Sequence, residues 1–202
     1  LATSVNMTSE GSALVYGDDE SALELAKQLS SRLNVTCLMK DAKDVMPPRL
    51  MDLPVFVGTI SSLSGYLGAF EATVDKYAPF QVSSRATFEM GQQATDGVKL
   101  KVDLVLDISS GDALVTAPEK RDGYFNPDVG NPALVQKVLF EITDLVGEFE
   151  KPRYIRYDSK ICVHARSTQV GCTRCLDVCP TGAITSGNDE VIIDPYVCAG
   201  CG

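Results

Sequence analysis

Six cysteines stand within one short stretch near the end of this chain: Cys162, Cys172, Cys175, Cys179, Cys198 and Cys201; a seventh, Cys37, stands alone far upstream. Thiolates are soft ligands that select zinc, copper(I) or iron–sulfur clusters. A secreted disulfide scaffold would spread its cysteines through a short chain, whereas these crowd into one end of an acidic chain of 202 residues. The pattern reads as metal or cluster ligands in a reducing compartment. Cys172-x2-Cys175 and Cys198-x2-Cys201 each place two thiols at i and i+3 in a tight loop, so that both aim at one centre. Pro180 follows Cys179 directly and fixes how the chain leaves the first run.

Three ligand sets remain open on spacing alone. Cys172, Cys175, Cys198 and Cys201 make a tetrahedral zinc site on paper, but 22 residues separate the pairs, and zinc leaves Cys162, Cys179 and Pro180 without a reason. A single cluster from Cys162, Cys172, Cys175 and Cys179 is the second. A pair of clusters using all six thiols is the third. His164, the only histidine, sits beside Cys162 and is a candidate ligand or a neighbour that orients one. Arg166 and Arg174 either donate hydrogen bonds to cluster sulfurs or face solvent.

The run Cys172-x2-Cys175-x3-Cys179-Pro180, the Thr-Gly-Ala-Ile after it, and Asp194-Pro-Tyr-Val-Cys198-x2-Cys201-Gly202 together resemble the bacterial two-cluster 4Fe-4S ferredoxin family. The resemblance covers about 40 residues and is specific. It implies that Cys162, Cys172 and Cys175 serve one cluster and that Cys179 crosses over to join Cys198 and Cys201 at the other. Two departures stand out. The family carries a cysteine at position 169, where this chain has Gln169, so that Cys162 becomes the substitute through a longer loop. The family's second run also continues past Cys201, while this sequence stops at Gly202. The expectation is a truncated ferredoxin-like segment, with two 4Fe-4S clusters in the full-length protein and incomplete sites in this fragment. An α/β domain followed by such a segment looks like the iron–sulfur proteins that accompany bacterial formate dehydrogenase and nitrate reductase. That likeness implies electron transfer or an accessory role in the cytoplasm, no catalysis of its own, and a redox partner, a molybdoenzyme such as formate dehydrogenase among the candidates.

The elements that must position these thiols come earlier. Net charge is −9, from 27 acidic and 18 basic residues. No clustered Lys/Arg face is evident, which argues against a nucleic-acid binder. An acidic surface suits a redox protein that docks on a basic patch, and equally suits plain solubility. No window approaches 18 consecutive apolar residues, so no membrane-spanning helix is expected. Residues 1–11 read as a polar tail without the features of a signal peptide.

Residues 12–150 read as an α/β or α+β domain, with 151–202 as the cysteine segment. Ser12 to Gly17 is a short apolar strand. Asp18, Asp19 and Glu20 supply caps for a helix carrying Leu23, Leu25, Ala26, Leu29 and Leu33, and Val35 to Met39 forms a second strand. That is a β-α-β unit with parallel pairing. Cys37 falls inside its second strand as a small core residue. Residues 98–108 read as one further strand. Asn131 and Pro132 open a helix lined by Leu134, Val135, Val138, Leu139, Ile142, Leu145 and Val146, ending near Gly147. The parallel start invites a nucleotide or flavin site, hence a redox enzyme subunit as an alternative function. Against it, the G-x-G-x-x-G fingerprint is absent, and three acids at the helix start repel a pyrophosphate. The turns Gly65 to Phe70 and Arg121 to Tyr124 are candidate functional loops, with hairpin punctuation as the ordinary explanation.

Overall fold

Apolar runs bounded by Gly, Asp and Ser dominate the first two-thirds of the chain, and in a computed structural model of the protein they form strands. The structure describes residues 3–40, 52–82, 88–90, 94–118, 121–166, 172–187 and 190–201. Pro47, Pro48, Gln169 and Gly202 lie outside the described residues. In chain order the elements are β1 (Ser4–Ser9), β2 (Ser12–Gly17), α1 (Glu20–Ser30), β3 (Asn34–Met39), β4 (Val55–Ser64), β5 (Phe70–Val82), β6 (Phe88–Met90), β7 (Val98–Val102), β8 (Leu104–Asp107), β9 (Tyr124–Phe125), α2 (Pro132–Asp144), β10 (Gly147–Pro152), α3 (Val163–Arg166), α4 (Arg174–Val178), β11 (Ile184–Ser186) and β12 (Val191–Ile193). They fall into two compact units. One holds Thr8–Thr116 and Asp122–Gly147; the other gathers Leu1–Met7, Ala117–Arg121 and Glu148–Gly202.

The larger unit is built on an eight-stranded sheet in the order β6-β5-β4-β3-β2-β8-β9, with β7 also paired to β5. β2 pairs in parallel with β3 on one side and β8 on the other. β3 pairs in parallel with β4, and β8 with β9. From β4 onward the sheet turns antiparallel, through the long β4–β5 hairpin and the pairing of β5 with β6 and β7. Leu14, Val15, Leu38, Met39, Leu104, Val105 and Leu106 are all fully buried. Near-continuous apolar runs of this kind mark strands covered on both faces.

The expectation of an α/β fold followed by a ferredoxin-like segment is overturned. Among the described residues strand is about twice as abundant as helix, so the protein is mostly β. The cause lies in residues 55–102. Among the described residues there, β-branched and aromatic side chains pair as long antiparallel strands with no crossover helix between them. The cysteine stretch belongs to a unit that also includes Leu1–Met7 and Ala117–Arg121. Residues 4–9, expected as a polar tail, form strand β1, which pairs with β10.

Local chemistry accounts for several element boundaries. Asp19 caps α1 by accepting from Ser21 N at 3.0 Å, and Asn131 caps α2 by accepting from Leu134 N at 3.2 Å. The single strand expected over 98–108 is broken at Asp103. Its carboxylate accepts from the backbone N–H of Glu10 and of Ser12, both at 2.9 Å, which turns the chain from the antiparallel β7 to the parallel β8. The Gly65–Gly68 turn is structural. Gly68 has φ +85°, and a Cβ there would stand 1.9 Å from the carbonyl oxygen of Thr8.

The C-terminal ends of β2 and β8 form the crevice where open sheets with parallel strands usually place a ligand, because the neighbours of β2 are reached in opposite directions. Here the chain fills the crevice with its own groups. Asp107 is fully buried and accepts from Tyr124 Oη (2.7 Å), Ser109 Oγ (2.7 Å), Ser109 N (3.1 Å) and Leu114 N (3.3 Å). Asp18 accepts from Ser110 N, and its other oxygen faces Lys40 Nζ at 4.0 Å. Burial, reinforced by the neighbouring Asp107, pushes the Tyr124 phenol well above its usual range, so it remains a donor throughout the physiological range. Asp107→Ala leaves these donors facing a hole, and urea unfolding is expected to show a loss of roughly 3 kcal/mol. A loss below about 0.5 kcal/mol, the scale of an ordinary surface change, would mean that Asp107 does not hold this loop.

Candidate functional site

Within the unit formed by Leu1–Met7, Ala117–Arg121 and Glu148–Gly202, Cys162, Cys175, Cys179, Cys198 and Cys201 all line one cavity of about 480 Å³. Its remaining walls are mostly apolar: Ile155, Ile161, Val178, Ile184, Val191 and Ile193 among them. Cys172 is half-buried and does not line it. Cys37 is buried in β3 of the larger unit, where burial pushes its thiol up to about 12. It is an inert core residue. Among the described residues, no group of three or more His, Cys, Asp or Glu side chains is arranged to hold a bare metal ion. Five of the thiols face this one space. A volume of this size lies within the roughly 300–1,000 Å³ typical of small-molecule and cofactor sites.

A set of polar contacts carries the cysteine loops. His164 is 3% exposed. Its Nδ1 is 3.0 Å from the carbonyl oxygen of Cys172 and its Nε2 is 3.3 Å from Ser186 Oγ. Both ring nitrogens are thus engaged in tying the loop before α4 to β11, and His164 is not a ligand in this arrangement. Asp194, next to Pro195, shapes the second run. Its Oδ1 accepts from Tyr196 N at 2.8 Å and Val197 N at 3.3 Å, while its carbonyl accepts from Cys198 N at 3.1 Å. This Asx-type turn delivers Cys198, which is 6% exposed, to the cavity wall. Lys151 Nζ donates to the carbonyl of Tyr196 at 2.8 Å, and Arg121 Nη2 donates to that of Thr181 at 3.2 Å. Arg121 is therefore a strut for the loop after Pro180. Burial presses its guanidinium below its usual range, against the opposing pull of Asp194. Arg166 lies at the end of α3 and Arg174 at the start of α4.

Two thiols are tuned toward the thiolate. Cys162 is held below its ordinary range first by the backbone N–H of Ala165, then by the Tyr157 hydroxyl and the N–H of His164, all hydrogen-bonding to its sulfur. The Tyr157 phenol is correspondingly raised, chiefly by that same bond to Cys162. At Cys179 burial works upward, but the Thr181 hydroxyl, 3.6 Å from Sγ, and the backbone N–H groups of Ile184, Ala183 and Thr181 outweigh it. Several N–H donors on one sulfur stabilise negative charge there, which is what a metal-bound thiolate requires.

The cysteine spacing pointed to these residues. It gave no sign of Tyr157; Arg121 stood in a candidate loop and Asp194 in the second motif, but their roles as supports come from their positions in the fold. A buried polar role for His164 follows from both its ring nitrogens finding partners, which no spacing rule encodes. Compared with known protein families and curated proteins, the chain matches no family model and no curated sequence.

Removing the phenol in Tyr157→Phe takes one donor from Cys162 and raises its pKa, so that less thiolate is present at neutral pH. Peptide-level mass spectrometry of reduced, metal-free protein is expected to show slower iodoacetamide labelling of Cys162 at pH 7 in the variant, an unchanged rate at Cys179, and no labelling of Cys37 in the folded state. Equal rates at Cys162 in the two proteins would show that the phenol does not tune it.

Proposed function

We propose that this protein binds iron–sulfur clusters of the 4Fe-4S type through its C-terminal cysteines and serves in the cytoplasm as an electron carrier or an accessory protein to a redox enzyme. The observation that carries this reading is the common cavity: five cysteines from two sequence runs and the preceding loop line one mostly apolar space. Apolar walls exclude water and lower the dielectric around a cluster, and N–H donors to sulfur tune its potential. The donor set fits. Cys162, Cys172 and Cys175 would serve one cluster, and Cys179, Cys198 and Cys201 a second. A bound cluster would supply one-electron transfer. The polypeptide supplies thiolates of depressed pKa, the struts from His164, Arg121 and Asp194, and an apolar surround. Zinc fits less well, because a single tetrahedral ion takes four thiolates and leaves two of the six clustered cysteines without a role.

Among the described residues no helix is long and apolar enough to cross a membrane. The partner in this reading is a redox protein, a molybdoenzyme such as formate dehydrogenase among the candidates.

Anaerobic reconstitution with iron and sulfide, followed by iron and sulfide analysis, tests the proposal. The expected result is about four or more irons per chain with matching sulfide, and a paramagnetic resonance signal on reduction. Cys179→Ser and Cys198→Ser are each expected to lower the iron content, and Cys37→Ser to leave it unchanged. Iron no higher than in a variant lacking all six clustered cysteines, or one tightly held zinc in its place, would overturn the proposal.

A further inference from the structure

The same unit contains a second recess, of about 390 Å³, lined by Arg153, Tyr154, Arg156, Tyr157, Pro195 and Cys198 among others. It shares Ile155, Arg156, Tyr157, Ile193 and Cys198 with the cysteine cavity. Three features of its lining point to one class of occupant.

The first is charge. The chain has a net charge of −9, yet residues 151–166 contain Lys151, Arg153, Arg156, Lys160 and Arg166 against Asp158 alone. Arg153 and Arg156 are exposed, and among the described residues neither pairs with a carboxylate. Two guanidinium groups on one recess match a phosphate or carboxylate through their paired N–H donors. The second is ring surface. Tyr154 is 51% exposed at the recess, while its ring atoms lie 2.6 Å from where a Cβ on Gly200 would stand. Gly200 has φ +70° and sits between Cys198 and Cys201, so the absent side chain lets the ring pack onto the cysteine loop. A tyrosine fixed in this way is a stacking platform that loses little entropy when a ligand arrives. The third is size: a concave space of this volume suits a small molecule, whereas protein partners meet broad and flatter faces.

We infer that this recess binds a small anion bearing a planar ring, its phosphate or carboxylate held by Arg153 and Arg156 and its ring stacked on Tyr154, directly behind the loop that carries Cys198 and Cys201. The site stands whether or not the cysteines hold a cluster. If they do, the bound ring lies against the loop that carries Cys198 and Cys201.

Flavin mononucleotide is the probe, with riboflavin as the control lacking phosphate and inorganic phosphate as the control lacking the ring. Flavin fluorescence is titrated against both metal-free and iron-loaded protein, with iron measured separately, so that a failed cluster and a failed recess are told apart. The expected result is flavin mononucleotide bound about tenfold or more tighter than riboflavin, a difference of about 1.4 kcal/mol, in both forms of the protein, with inorganic phosphate competing. The double variant Arg153→Gln, Arg156→Gln abolishes that difference, the corresponding double Lys variant keeps part of it, and Tyr154→Leu weakens both flavins alike. Both arginines are exposed, and neither pairs with a carboxylate among the described residues, so these variants are expected to fold. Equal affinity for the two flavins, no binding of either, or displacement by a poly-glutamate peptide but not by phosphate would overturn the inference, the last in favour of a face for an acidic protein.

Discussion

A cavity walled by thiols must be held in shape before anything enters it, and here that task falls on hydrogen bonds to the backbone of the cysteine loops. The loops themselves are short and poor in regular structure: α3 has four residues, α4 five, and β11 and β12 three each. Elements of that length have little stability of their own. The buried imidazole of His164 joins two of them, Asp194 shapes the turn before Cys198, and Arg121 and Lys151 reach in to carbonyls near each end. Apart from the Ser186 hydroxyl at His164 Nε2, the partners of these four side chains are backbone groups, so the struts do not consume the cysteine thiols.

The same arrangement explains why the thiols differ from one another. Cys162 and Cys179 lie where backbone N–H groups turn inward, and both are held below the ordinary thiol range. Cys37, in the middle of a sheet with its backbone committed to strand pairing, receives no such help and is raised by burial alone. Position relative to backbone donors, more than residue type, separates a ligand-ready thiol from an inert one.

How much of this is legible in the sequence depends on the range of the interactions involved. Helix starts are legible: Asp19 and Asn131 cap α1 and α2 through bonds spanning two or three residues. The cysteine pairs are legible for the same reason, since i and i+3 spacing is local geometry. The fold class is not. The β4–β5 hairpin is local, but the parallel pairing of β2 with β8 and of β3 with β4 joins strands many residues apart. A single carboxylate, Asp103, divides what reads as one strand into two that belong to different parts of the sheet. The cationic character of residues 151–166 is visible in the composition, yet it is masked by the acidity of the whole chain until the recess gathers Arg153 and Arg156 beside Tyr154.

The central claim is that the cysteine cavity takes an iron–sulfur cluster, and the most direct measurement is Mössbauer spectroscopy of protein produced and isolated without oxygen from cells grown on iron-57. The account predicts the signature of irons sharing sulfide bridges in a cubane, lost when Cys179 and Cys198 are both replaced by serine. A spectrum of isolated mononuclear iron, or of no bound iron in a protein that carries zinc, would contradict it.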